Sequence, residues 1–242
     1  MIPSQDIYQP EFVKAVFDRC SDKYIAFSYF CSFGFTERWR RQCVELLSLG
    51  MNAREGLDLM SGTGEVWAHL FSKSSMIDRV IAVDISSGMH RRALERIQHM
   101  PTFNIDFIED DVLASKLPDA SADFIISTFG LKTFNRKQQR QLAELTARVL
   151  RPGGRFAYIE ASDPRGWVLR PLYMFHLSVI LPMIERVFLR GAQDFAMIGK
   201  YASAFSDASA FADDLRCEGM DVTFRRHFFG CATSVSGQRP ND

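Results

Sequence analysis

Asp58 is followed, after three intervening residues, by Gly62-Thr63-Gly64, between a short apolar run and an amphipathic stretch that starts at Glu65. Glycines in a turn from strand to helix let a ligand approach the backbone closely, and such turns belong to parallel βαβ units. The third glycine of the dinucleotide fingerprint is missing, and Trp67 stands there instead. A bulky side chain at that place opposes the tight helix–strand contact of a pyrophosphate-binding turn, which argues against a nicotinamide dehydrogenase. An acid at the strand end suits a cationic ligand better than a phosphate.

The surrounding pattern agrees with such a unit. Short apolar runs at 56–60, 79–85, 104–108, 123–128 and 155–160 alternate with helical stretches at 65–71, 87–99 and 137–150. This spacing predicts an α/β, Rossmann-like domain whose mostly parallel sheet is covered on both faces. Arg151-Pro152-Gly153-Gly154 is expected to stop a helix and start a strand. Residues 207–218 read as a helix, and 220–228 with 231–236 as a closing hairpin around Gly230.

Two segments break the alternation. Residues 1–50 read as a helical N-terminal cover, with helices at 11–19 and 37–49 and an aromatic stretch between them. Residues 51–242 then form the ligand-binding domain, and 163–200 an apolar helical insert over its active site.

Charge and cysteine usage limit the function classes. The 242 residues carry 29 Lys plus Arg and 29 Asp plus Glu. A neutral chain has no broad attraction for nucleic acid, which points to a small-molecule partner. The five cysteines include no Cys-x-x-Cys pair, so neither a disulfide framework nor a zinc site is signalled, and a cytoplasmic protein is expected. No run of 18 apolar residues exists, so no transmembrane segment is expected.

S-adenosylmethionine (SAM) fits the site chemistry, since it carries an α-ammonium and a sulfonium. Asp58 is placed to hold the ammonium, and the turn residues Met60, Ser61, Gly62 and Gly64 to lie against the cofactor. Asp84 lies 20 residues after Gly64, where a carboxylate accepts from two ribose hydroxyls. Ile85 follows it, and Met89 on the next helix could pack on the adenine. Asp110, Asp111 and Val112 end the third strand, where an acid can accept from the adenine amino group, with Asp111 preferred. Ser127 and Phe129 end the fourth strand, close to the reacting methyl group.

These pieces together resemble the ubiquinone/menaquinone biosynthesis C-methyltransferase family over nearly the whole chain. The residues that carry the resemblance are Ser32-Phe33-Gly34 with Trp39-Arg40-Arg41, the segment 57–64, Val83-Asp84-Ile85-Ser86-Ser87-Gly88-Met89, Leu117-Pro118, Phe129-Gly130-Leu131 and 149–154. The resemblance implies the seven-stranded class I methyltransferase fold with its last strand antiparallel, and a quinol-like acceptor. It matches the family's early tyrosine to Tyr24. Lys132 and Thr133 stand where the family carries Arg-Asn.

Lys132 is the candidate for orienting an acceptor oxygen, and Tyr173 and His176, about one helical turn apart, for moving a proton. Glu160 and Asp163 are further candidate bases. The apolar insert suggests an apolar or aromatic acceptor, or alternatively a homodimer interface. Two other classes remain open at this level: an enzyme that cyclises SAM and releases methylthioadenosine, and a non-catalytic SAM-binding assembly partner.

Overall fold

The computed structural model describes residues 6–50, 53–100, 104–188 and 196–241. Its seven strands are β1 (Glu55–Leu59), β2 (Arg79–Asp84), β3 (Ile105–Glu109), β4 (Ala122–Thr128), β5 (Leu150–Ala161), β6 (Asp221–His227) and β7 (Ala232–Gln238). They form one sheet in the order β3-β2-β1-β4-β5-β7-β6. The pairs from β3 to β5 are parallel, and β7 runs antiparallel to both β5 and β6. The chain leaves β1 for β2 on one side and β4 pairs with β1 on the other, so a crevice opens beyond their carboxyl ends.

The central strands are buried on both faces, which explains their nearly unbroken apolar runs. Gly56 has a specific packing role: a Cβ there would lie 2.0 Å from the Phe124 ring of β4. One face carries α6 (Arg136–Val149) and α10 (Ser209–Cys217), which pack Leu142, Leu145 and Phe211 against Ile125, Phe156 and Tyr158. Asn135 caps α6 by accepting from the Gln138 N–H, and the Gln138 side chain accepts from the Asn135 N–H in return. The other face carries α3 (Phe35–Leu47) and α4 (Trp67–Lys73), with Trp39, Cys43, Leu47, Trp67 and Leu70 in its core.

Helices α1 (Pro10–Cys20) and α2 (Tyr24–Cys31) are separate from that layer, whereas α3 belongs to it. The N-terminal helices therefore divide near Gly34, and residues 51 and 52, where the sequence suggested a boundary, lie outside the described residues. The insert is helical: α7 (Arg170–Phe175), a π-helical stretch (His176–Ile180), α8 (Leu181–Phe188) and α9 (Ala196–Phe205). Its residues 189–195 also lie outside the described set. Phe27 of α2, Met89 of α5 (Ser87–Ile97), Leu177 and Leu181 of the insert and Ala202 of α9, just past its end, belong to a third apolar cluster.

Strand β5 starts at Leu150, five residues earlier than the pattern suggested, because Arg151–Gly154 continues the strand through a register shift against β4. A bulge accommodates the Pro-Gly-Gly sequence without ending the strand.

Asp18 fastens α1 to the start of α5. Its carboxylate accepts from Ser86 Oγ at 2.6 Å, the Gly88 N–H at 2.8 Å and Ser87 Oγ at 3.3 Å. Burial raises its pKa, but the hydrogen bonds from Ser86 and Gly88, with Lys14 beside it, outweigh that and hold it below the usual carboxylate range. A depressed carboxylate stabilises the fold above its unfolded pKa, so this clamp should weaken as pH falls below about 4. Asp18→Ala is expected to cost about 1–3 kcal/mol at neutral pH, because the buried Ser86 hydroxyl loses the acceptor for its proton while still accepting from the Met89 N–H. Denaturant unfolding at pH 7 and pH 3 checks this: a deficit of equal size at both would remove the clamp's charge from the argument.

Candidate active site

The loop after β1 uses left-handed backbone at Met60 (φ 54°), Gly62 (φ 57°) and Gly64 (φ 71°). Nothing lies within 4 Å of where a Cβ on Gly62 would point, so the loop faces open space. At Gly64 the need for glycine is packing: a Cβ would come within 2.3 Å of the Trp67 ring. Trp67 is fully buried, and its indole N–H donates to Asp58 Oδ2 at 2.8 Å. The bulky residue at the third-glycine place thus fills the space behind the loop and holds the strand-end acid.

A crevice beyond β1, β2 and β4 is lined by Met60, Ser61, Gly62, Asp84, Ile85, Met89, Asp110, Asp111, Val112, Phe129 and Tyr24. Three further residues expected at the cofactor, Asp58, Gly64 and Ser127, stand behind this lining. The Oδ1 of Asp58 and the Oγ of Ser127 are buried without a hydrogen-bond partner among the described residues. Burial pushes the Asp58 carboxyl up to about 8, against the opposing effect of the Trp67 indole N–H.

Asp84 ties the first two loops together. It accepts from the Gly62 N–H at 2.7 Å and the Ser86 N–H at 2.9 Å. Burial pushes its carboxyl up to about 6, although both N–H groups favour the charged form. Asp111 accepts from the Leu113 N–H at 3.0 Å, and burial raises its pKa too.

The sequence did not single out Arg40 and Glu65 as site residues. Arg40 is buried, lines the crevice and donates to Glu65 at 2.8 Å. Its guanidinium lies 5.2 Å from the Phe129 ring centroid, and its Nε is buried without a partner among the described residues. An acidic rim, one unpaired buried guanidinium N–H and an open glycine loop match the hydroxyls, ammonium and carboxylate of SAM.

Next to the crevice is an apolar chamber of about 550 Å³, lined by α2, the insert and Phe228. Tyr24 and Phe129 line both spaces. The chamber contains all three residues expected to act on the acceptor, Lys132, Tyr173 and His176. The buried Lys132 ammonium donates to Glu160 Oε1 and to the Phe129 carbonyl, both at 2.7 Å. The Tyr173 hydroxyl donates to the Cys231 carbonyl at 3.2 Å, and burial raises its pKa. His176 Nε2 is 2.9 Å from the Cys31 carbonyl. Because a carbonyl can only accept, Nε2 is the donor in this contact, and in the neutral ring Nδ1 is the nitrogen with the lone pair. Asp163 is held in two hydrogen bonds by Arg170, at 2.6 and 2.7 Å.

Comparison with known proteins fits this geometry. The model of the ubiE/COQ5 methyltransferase family matches residues 4–239. A demethylmenaquinone methyltransferase of Lactiplantibacillus plantarum is 26% identical over 229 residues, which is 94% of this chain and 95% of that protein. Its counterpart in Bacillus cereus is 23% identical over 231 residues, covering 95% and 96%. Among solved structures, an O-methyltransferase family protein from Burkholderia thailandensis shares the fold with a TM-score of 0.65 at 17% identity, over 98% of this chain and 64% of that one. Human N-acetylserotonin methyltransferase, solved with SAM, has a TM-score of 0.59 at 19% identity, over 90% of this chain and 58% of that one.

The fold is the Rossmann-like class I methyltransferase fold, and the cofactor is SAM. The cyclising and non-catalytic alternatives find no support among these relatives. From the glycine loop to the closing hairpin, the chain is a SAM-dependent methyltransferase and belongs to the ubiE/COQ5 methyltransferase family.

Proposed function

We propose that the chain methylates a small apolar or aromatic acceptor, a quinol-like ring or a related phenol, held in the apolar chamber. The observation that carries this reading is the shared wall: Tyr24 and Phe129 border both the crevice and a chamber whose polar groups are few and specific. Demethylmenaquinone methyltransferase relatives favour a quinol ring. Lys132 and Thr133 in place of Arg-Asn point to an acceptor held by a single ammonium rather than a planar fork.

In this reading Asp84 accepts from the ribose hydroxyls, and Ile85, Met89 and the Asp110-Asp111-Val112 segment surround the adenine. The loop from Met60 to Gly62 and Arg40 hold the methionine end, with Asp58, Gly64 and Ser127 supporting them from behind. When bound, SAM supplies an electrophilic methyl group on a sulfonium. The Lys132 ammonium offers a donor to an acceptor oxygen and stabilises its anion. His176 Nδ1 is the free lone pair that takes the acceptor proton, and Tyr173 shapes the wall. Methyl transfer then depends mainly on alignment and on keeping water out.

Helices α1 and α2 act as the cover and residues 163–200 as the lid of the domain that follows residue 50. Val13 and Phe17 of α1 stand on the wall of the crevice, so α1 closes one side of the cofactor site.

Mass spectrometry with methyl-deuterated SAM and a panel of quinols and phenols tests the proposal. The expected products are adenosylhomocysteine and a labelled apolar acceptor. Transfer only to polar acceptors, or His176→Ala with unaltered turnover, would refute the acceptor reading or the proton role respectively.

The Asp84 carboxyl at about 6 makes the cofactor affinity pH-dependent. Only the ionised form accepts from both hydroxyls, so SAM should bind about tenfold more weakly at pH 5 than at pH 7. For the ligand-free protein the sign is opposite: a carboxyl raised to about 6 adds to folding stability as pH falls from about 6 towards 4. Asp84→Ala should weaken SAM binding by about 1–3 kcal/mol and flatten the profile. Calorimetric titration at both pH values decides, and an unchanged affinity in the variant would end the ribose assignment.

A further inference from the structure

We propose that Tyr8, in the segment that precedes α1, is a cofactor-contacting residue that closes the adenine end of the crevice with its ring and offers its hydroxyl to the base as a donor. The proposal rests on reading the Asp110-Asp111-Val112 segment as the surroundings of the adenine. Tyr8 lies outside every motif that identifies the cofactor loops, yet it lines the crevice together with Pro10, Val13 and Phe17 of α1.

Contacts along α1 fix which end of the crevice this is. Lys14 donates to the Ile85 carbonyl, just after β2, at 2.9 Å, and to Glu109, the last residue of β3, at 3.2 Å. About one turn earlier, Glu11 acts on Asp111. Burial, opposed by the Leu113 N–H, raises the Asp111 pKa, and the charges of Asp110 and Glu11 add to the rise. The start of α1 therefore stands by the ends of β2 and β3, whose exits carry Ile85 and Asp111. Tyr8 comes just before it.

The backbone of this segment is fixed from two sides. Gln138, in the first turn of α6, donates its side-chain amide to the Tyr8 carbonyl at 3.0 Å. Gln138 is itself held, because its side-chain oxygen accepts from the Asn135 N–H at 2.9 Å. On the other side, the Tyr201 hydroxyl of α9 donates to the Ile7 carbonyl at 2.7 Å. Asp6 accepts from the Tyr8 N–H at 3.1 Å.

The Tyr8 side chain is supported but not satisfied. Tyr201 is buried, and its ring centroid lies 5.9 Å from that of Tyr8, so the Tyr8 ring has a fixed aromatic beside it while it borders the crevice. Its backbone N–H and carbonyl are both paired, whereas its hydroxyl has no hydrogen-bond partner among the described residues. A tyrosine in such a place combines an apolar face with a donor that seeks an acceptor. Adenine offers both counterparts, a flat ring and unprotonated ring nitrogens. In the same reading Asp111 takes the exocyclic amino group. An ionised carboxylate cannot donate, so a donor from a second element complements it.

Calorimetric titration with SAM and with methylthioadenosine, which keeps the base and ribose but lacks the amino-acid end, tests this. Tyr8→Ala should weaken both ligands by the same factor, about tenfold, as for a lost base–aromatic contact. Tyr8→Phe keeps the ring beside Tyr201 and should weaken both by about threefold, the loss of one donor. The rise in melting temperature that SAM produces should shrink in Tyr8→Ala. A Tyr8→Ala protein that melts earlier but binds both ligands like the wild type would make the ring a packing residue and overturn the proposal. So would a loss confined to SAM, which would put Tyr8 at the methionine end. Unchanged affinity in Tyr8→Phe would strike the donor role. Asp111→Ala separates the proposal from the reading beneath it. If that variant binds methylthioadenosine as tightly as the wild type, the adenine assignment fails; if it binds weakly while Tyr8→Ala binds normally, Tyr8 alone is misassigned.

Discussion

Lys132→Met should lower folding stability by about 3–5 kcal/mol, and a second substitution, Glu160→Gln, should restore most of it. Glu160 is fully buried. It accepts from the Lys132 ammonium at 2.7 Å, the Lys132 N–H at 3.0 Å and the Ala161 N–H at 2.7 Å. Removing the ammonium leaves a buried carboxylate facing two backbone N–H groups and no cation. A glutamine keeps an acceptor for those N–H groups and removes the stranded charge. Turnover should separate from stability, staying low in both variants, because neither has an ammonium to hold an acceptor oxygen. Thermal unfolding of the four proteins in the cycle gives the coupling, and single-turnover transfer gives the chemistry. A double variant no more stable than Lys132→Met would show that the cost is lost packing. Full activity in the double variant would show that Lys132 only neutralises Glu160.

The Lys132–Glu160 pair also marks a limit of reading the sequence. Both residues were named as candidates, since each follows or ends an apolar strand run at the carboxyl edge of the sheet. Their partnership spans 28 residues, and no local pattern contains it. The cofactor loop was legible because Asp58, Gly62 and Gly64 are close together and their spacing has a backbone reason. The parallel strands were legible because burial on two faces leaves nearly continuous apolar runs. Helix α2 was not: Tyr24–Cys31 is apolar on all sides, so no 3.6-residue period stands out. Arg40 was hidden by its neighbours, because Arg38 and Arg41 are exposed on the same helix and only Arg40 turns towards Glu65. Trp67 was noticed for what it excludes, a pyrophosphate, and its part in holding Asp58 emerges only from the packing.

That packing makes Trp67→Ala the other large effect, an expected loss of about 3–5 kcal/mol from an emptied, fully buried site. Trp67→Phe separates volume from hydrogen bonding. It keeps much of the ring but removes the N–H that reaches Asp58 Oδ2, leaving both carboxyl oxygens without a partner among the described residues. The expected cost of that step is about 1–3 kcal/mol. Its pH dependence carries a definite sign. Burial pushes the Asp58 carboxyl up to about 8, and the indole N–H opposes that by favouring the ionised form. A raised carboxyl binds its proton more tightly in the folded state, so stability falls as pH rises towards 8. Without the indole N–H the carboxyl moves higher still, and the ionised form becomes costlier. The deficit of Trp67→Phe relative to the wild type should therefore widen from pH 7 to pH 9. Denaturant unfolding across that range tests it. A constant deficit would mean that Trp67 acts on Asp58 through packing alone, and the loop beyond Gly64 would then depend on the shape of the indole and not on its proton.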